Sequence, residues 1–237
     1  MSTSPESSFA ELPIESRTRM DTNALDLASL LCSRLCHDML SPVGALSNGL
    51  ELLTDEKDPV MRKHCFDLLE QSARISADKL KFFRLAFGAA GGFGDLVPVN
   101  EARSVIDALV GNNDRITVNW ALASDSLPKP GVKTLLNLAL IGIEALVRGG
   151  TLDIGAELRT DETGRGASEI VVRATGTRIA FDPDIGRALD GTLPASELSS
   201  RTAPAAMIRQ LSESLGGGLQ FALTQEALVL GAVLPAA

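Results

Sequence analysis

The run Leu35-Cys36-His37-Asp38-Met39-Leu40-Ser41-Pro42 sits inside a long segment with helical apolar spacing. A helical wheel advances about 100° per residue. On it Leu35 and Met39 each stand about 200° from His37, and Leu46 about 180°. The leucines take one face, and His37 projects from the opposite, wetter face with Asp38 beside it. No packing demand puts a histidine there, and an imidazole is a competent nucleophile near neutral pH. An exposed His–Asp pair is also what ordinary helix surface looks like, so the surroundings must decide. Pro42 removes one intrahelical donor, frees the carbonyl of Asp38 one turn back, and predicts a bend.

Outward from this run, the first helix is predicted from a cap at Asp21 or Thr22 to about Leu53. Its stripe is Leu25, Leu27, Leu30, Leu31, Leu35, Leu46, Leu50 and Leu53. Residues 1–20, rich in Ser, Glu, Pro and Thr, read as a disordered lead-in. After a polar turn (Thr54 to Pro59), a second helix is predicted from Pro59 to about Phe87, with Val60, Met61, Phe66, Leu68, Leu69, Ile75, Leu80, Phe83 and Leu85 apolar. Two long helices on a short loop make an antiparallel hairpin, 21–88, with apolar surface to spare. A homodimer completing a four-helix bundle is the simplest way to bury it.

The glycine-rich break Gly88 to Gly94 reads as a domain boundary. The second domain, 95–237, predicts helices at Asn100–Val110, Pro130–Val147, Pro183–Leu189 and Pro204–Leu215. Strands are predicted at Ile116–Trp120, Thr151–Leu158, Ile170–Ala174, Leu219–Leu223 and Ala227–Val233. Gly149-Gly150 and Gly216-Gly217-Gly218 close two of the helices. Helices on one side of an antiparallel or mixed sheet make an α/β sandwich.

Composition narrows the functional classes. A formal net charge of −8, one Trp and no Tyr argue against a nucleic-acid partner. Three cysteines (Cys32, Cys36, Cys65) without framework spacing read as reduced thiols in the cytoplasm. A metal site would have to recruit His64 and Cys65 to Cys32 and Cys36, and none is expected. No stretch reaches the roughly 18 apolar residues of a membrane span, and no signal-peptide pattern opens the chain.

A hairpin bearing an HD dipeptide followed by an α/β sandwich resembles the two-domain core of sensor histidine kinases: a dimerisation and phosphoacceptor hairpin, then a Bergerat-type ATP-binding domain. The nucleotide boxes depart from that pattern. Against the kinase N-L-x-x-N-A-x-K, this chain has Asn137-Leu138-Ala139-Leu140-Ile141-Gly142-Ile143-Glu144. The magnesium-binding Asn is replaced by Ile141 and the basic residue by Glu144, which would repel a triphosphate. The aspartate of D-x-G-x-G becomes Ala174, and one of its glycines Arg178. The third box loses its glycines to Thr202 and Pro204, closing off backbone approach to phosphates.

A kinase-like chain with these losses resembles the ChpT-type histidine phosphotransferases of α-proteobacterial phosphorelays. The resemblance rests on His37-Asp38-Met39-Leu40-Ser41-Pro42 with Ala45 and Asn48-Gly49-Leu50-Glu51-Leu52-Leu53, and on Arg84-Leu85-Ala86-Phe87-Gly88. It implies a phosphohistidine relay without ATP. The receiver domain of a hybrid histidine kinase would donate to His37, and response regulators, including a cell-cycle regulator, would accept. Asp38 would orient the ring or take its proton. Ser41 would meet the phosphoryl group or receiver, or else bond a backbone carbonyl at the bend. Arg34 would steady phosphate charge, or be a solvated arginine. Leu40, Gly44 and Ser47 would meet the receiver, which brings Mg2+; the chain is expected to need no cofactor of its own. A non-catalytic dimeric scaffold that binds response regulators, and a divergent histidine kinase, are the alternatives.

Overall fold

A computed structural model describes residues 14–88, 94–111, 114–160 and 166–235. Helix α1 (Ile14–Asp55) and helix α2 (Pro59–Ala86) form the hairpin. The α1 backbone is helical well before the expected cap at Asp21 or Thr22. Residues 14–20, expected in the unstructured lead-in, therefore belong to the helix, and the rest of that lead-in lies outside the described residues. Nothing between Pro13 and Thr22 breaks a helix, and each residue added at an existing end gains a hydrogen bond without a new nucleation cost. α1 stays helical across Pro42.

The turn is closed from both sides. The Asp58 carboxylate accepts from the backbone N–H of Val60 at 3.1 Å, capping α2, and Pro59 follows at its first position. Arg62 Nη1 donates to the carbonyls of Leu53 (3.1 Å) and Glu56 (2.9 Å). These are carbonyls at and just beyond the end of α1, where a cation is favourable. The helices pack closely at Gly49, where a Cβ would lie 2.9 Å from a methyl of Leu69.

The second domain holds β1 (Leu96–Pro98), α3 (Val99–Val110), β2 (Ile116–Leu122), β3 (Ser126–Pro128), α4 (Lys129–Ala145), β4 (Gly150–Thr160) and β5 (Gly166–Thr175). Then come α5 (Pro183–Asp190), a 3₁₀ turn (Ala195–Glu197), α6 (Ala203–Ser214), β6 (Gly218–Leu223) and β7 (Ala227–Pro235). A five-stranded sheet runs β2-β4-β5-β7-β6; β2 and β4 are parallel and the other pairs antiparallel. The two-stranded β1–β3 ladder was not expected, since each strand is three residues ending in proline. The alternation is clean: Leu152, Ile154, Ile170, Val172, Ala174, Leu228 and Leu230 face the helices, whereas Val171 and Val233 face outward. At the end of α4, Gly149 has φ +86°, a conformation that disfavours any side chain, and a Cβ on Gly150 would sit 2.1 Å from the carbonyl of Thr175.

The hairpin and sandwich share one core. Phe82, Phe83, Leu85 and Ala86 at the end of α2 are buried with Val97, Ile106, Leu127 and Leu135. Asn137 Nδ2 donates to the carbonyls of Lys133 (2.8 Å) and Ala86 (3.4 Å). Higher up, Leu27, with Leu30 and Leu31 beside it, packs on Ala203 and Ala206 of α6. Part of the apolar stripe assigned to the bundle thus serves the sandwich instead. Leu50, Leu52, Phe66 and Leu68 remain exposed on the half of the hairpin nearest its turn. The boundary read at Gly88 to Gly94 falls largely on residues 89–93, outside the described residues.

Candidate functional site

Around His37, α1 has one exposed face and one turned to the second domain. His37 presents a side chain 80 % exposed, whereas Asp38 and Arg34 are only 18 % and 10 % exposed. The Asp38 carboxylate divides its oxygens: Oδ1 lies 3.0 Å from His37 Nδ1, and Oδ2 accepts from Arg34 Nε at 2.8 Å. An ionised carboxylate only accepts, so the ring proton of neutral His37 sits on Nδ1 and leaves the Nε2 lone pair free. Burial pushes the Asp38 carboxyl pKa up. The hydrogen bond from His37, the bond and charge of Arg34, and the charge of Lys79 outweigh it, so the pKa lies below the ordinary aspartate value.

Arg34 departs from both expectations for it. It is buried, neither solvated nor free to meet an anion with its whole fork. Its Nη2 pairs with Glu144 Oε1 at the end of α4, 110 residues along the chain. Burial alone would lower the guanidinium pKa. The Glu144 carboxylate and then Asp38 more than compensate, so it stays charged. The Glu144 carboxylate, read from the sequence as repelling a triphosphate, is turned to the hairpin.

The carbonyl freed by Pro42 is satisfied from α2. Lys79 Nζ donates to Asp38 O at 2.8 Å. Lys79 and Glu144 were not among the sequence candidates. A proline inside a helix announces an orphan carbonyl, but nothing in the local sequence names its donor. Glu144 ends an apolar helix, and its partner is equally invisible locally.

A cleft of about 510 Å³ is lined by Arg34, His37, Asp38 and Glu144 and, from the loop before α6, by Ser200 and Arg201. Arg201 Nε lies 3.3 Å from Asp182 Oδ2, which leaves the guanidinium largely exposed at the rim. Beyond His37 the same helix face continues through Leu40, 71 % exposed, then Ser41, Gly44 and Ser47. A Cβ on Gly44 would meet nothing within 4 Å. This face is open to a docking partner.

Most of the positions aligned with the kinase boxes lie in packed surroundings, whereas Glu144 lines the cleft and Arg178 is exposed. Asn137, Ile141 and Ala174 are buried in the core, and Thr202 is buried where α6 begins beneath α1. Among the described residues no group of three or more His, Cys, Asp or Glu side chains converges on a metal position, and no helix is long and apolar enough to cross a membrane.

Comparison with known proteins identifies the family. Residues 99–227 match the family model described as the histidine phosphotransferase C-terminal domain. The protein phosphotransferase ChpT of Brucella abortus (strain 2308) is 35 % identical over 210 residues, spanning 89 % of this chain and 96 % of that protein. A solved structure, described as a bacterial phosphotransferase at 1.7 Å, superposes with a TM-score of 0.74 at 33 % identity, covering 88 % of this chain and 96 % of that one. The family model, which spans more than half of the chain, and the relative 35 % identical over nearly its whole length together place the chain in the histidine phosphotransferase family.

Proposed function

We propose that the protein relays a phosphoryl group through His37, from the aspartyl phosphate of a receiver domain to the aspartate of a response regulator. The observation that carries this reading is the His37–Asp38 pair: Nδ1 held by a carboxylate, Nε2 open on an accessible helix face. Nε2 attacks phosphorus in line; the N–P bond forms as the P–O bond to the receiver's aspartate breaks, and the carboxylate leaves. The phosphorylated imidazole keeps its Nδ1 proton, and Asp38 offsets the resulting positive charge. The second transfer is the same step reversed onto another receiver. The transition state is loose and spreads its charge over three oxygens, so the site acts by positioning and electrostatics.

In this reading Arg34 acts through Asp38 rather than on the phosphoryl group directly. Ser41 stands on the exposed face one turn from His37, within reach of a docked receiver. Leu40, Gly44 and Ser47 supply the docking surface, with Gly44 and Ser47 small enough for a partner helix to approach closely. Mg2+ is expected on the receiver, which binds it with its own carboxylates. ATP takes no part; the core packing of Ile141 and Ala174 supports this, since neither position presents a ligand to a nucleotide. The exposed Leu50, Leu52, Phe66 and Leu68 support a homodimer through a four-helix bundle. A monomer in sedimentation equilibrium would sink that part of the proposal.

The test is transfer of label from a phosphorylated receiver to purified protein, with and without ATP. The wild type is expected to acquire an acid-labile phosphohistidine from the receiver and none from ATP alone, and His37→Ala to acquire none. Label on His37→Ala would refute the assignment. Receiver binding without any label on the wild type would make the protein a scaffold. Label from ATP alone would make it a kinase.

A further inference from the structure

We infer that Glu144, contributed by the second domain, is a positioning residue for phosphoryl transfer at His37. The inference rests on the reading of His37 as the phosphoacceptor and goes beyond it. An unbroken series of contacts joins the two residues: Glu144 Oε1 to Arg34 Nη2, Arg34 Nε to Asp38 Oδ2 at 2.8 Å, and Asp38 Oδ1 to His37 Nδ1 at 3.0 Å. What matters is how the oxygens and nitrogens are shared out. An arginine beside a carboxylate ordinarily takes both oxygens with its planar fork. Here the fork is divided between two carboxylates, so Asp38 gives Arg34 one oxygen and keeps the other for the imidazole. Glu144 is what holds the second arm of the fork away.

Without that second carboxylate, the buried Arg34 has one anionic partner. Its Nη2 then turns to Asp38 Oδ1 and competes with His37 Nδ1 for it. The ring loses the contact that holds its orientation and keeps its proton on Nδ1. A rigid support makes Glu144 effective. It sits at the end of α4, whose body is buried against the sheet, so its carboxylate is referenced to the sandwich core rather than to the hairpin. A carboxylate in a cleft that handles phosphoryl groups is otherwise unfavourable, and its direct pairing with Arg34 reduces that cost. The domains are already joined by the Leu27 and Phe82 contacts, so their attachment does not depend on this ion pair.

The experiment compares full-length wild type, Glu144→Gln, Glu144→Asp and His37→Ala with a phosphorylated receiver in single-turnover mode. Glu144→Gln is expected to lower the transfer rate at saturating receiver about 10- to 100-fold, the range that a misplacement of about 1 Å can produce. Receiver affinity should stay within about twofold, because the side chain is not on the docking face. Glu144→Asp, which keeps the charge, should recover part of the rate. In protein labelled with 15N in its histidine rings, Glu144→Gln should shift His37 away from the Nδ1–H tautomer. A wild-type transfer rate in Glu144→Gln overturns the inference. So does a loss confined to affinity, or an unchanged ring tautomer. Label on His37→Ala instead overturns the phosphoacceptor reading, and the two failures are told apart.

Discussion

Lys79 and Pro42 should be energetically coupled although they lie on different helices. Pro42 has no N–H, so the carbonyl of Asp38 cannot make its intrahelical bond, and Lys79 Nζ supplies the missing donor at 2.8 Å. Lys79→Met removes that donor. A hydrogen bond to a charged group contributes about 1.5–3 kcal/mol; this one is only partly buried, so the lower part of that range, about 1.5–2 kcal/mol, is expected. For a chain of this size that is about 3–8 °C in Tm. In a Pro42→Ala background the restored backbone N–H donates to Asp38 O, and Lys79→Met should cost only about 0.5 kcal/mol. The cycle of four proteins should therefore show a coupling of about 1–1.5 kcal/mol, well beyond the roughly 0.3–0.5 kcal/mol scatter of independent sites. Any change that Lys79→Met makes to the Asp38 charge is common to both backgrounds and cancels. The assay is equilibrium urea unfolding of all four at one protomer concentration, with equal slopes required. Additive effects would show that Lys79 does not stand in for the missing N–H.

Phe82 is wholly buried in the core shared by α2 and the sandwich. Phe82→Ala should cost about 3–5 kcal/mol. The wild type should unfold in one transition whether followed by helical circular dichroism or by the fluorescence of Trp120; two separated transitions would show independent domains. The Asp38 carboxyl has its pKa below the ordinary aspartate value because burial is outweighed by His37, Arg34 and Lys79. A depressed folded-state pKa stabilises above the unfolded value, and that stability is lost as pH falls through the folded one. Stability measured from pH 7 downward should fall more steeply below the ordinary aspartate range, near pH 4, in the wild type than in Asp38→Asn; parallel profiles would remove Asp38 from the account.

The sequence was most legible where the physics is local. Apolar periodicity over α4 and two-residue alternation in β4, β5 and β7 follow from where successive side chains must point, and the structure reproduces those elements to within a few residues. His37 on a wet face and the orphan carbonyl at Asp38 are also local consequences, one of helix geometry and one of a missing N–H. The β1–β3 ladder escaped because three residues ending in proline carry no usable period. The early start of α1 escaped because the residues before Asp21 carry no apolar period to mark them as helix.

Partnership is another matter. Periodicity marks a face as apolar without saying what covers it, so Leu27, Leu30 and Leu31 read as bundle core and turned out to serve α6. Charges behave likewise. The pairing of Arg34 with Glu144 across 110 residues, and of Lys79 with the Asp38 carbonyl across 41, depends on where α4 and α2 are brought by the fold. What the chain itself determined is an exposed histidine beside a carboxylate on a helix interrupted by proline. How that carboxylate is held, and by which domain, was decided only when the sandwich packed against the hairpin, because ion pairs are set by distance in space and not along the chain.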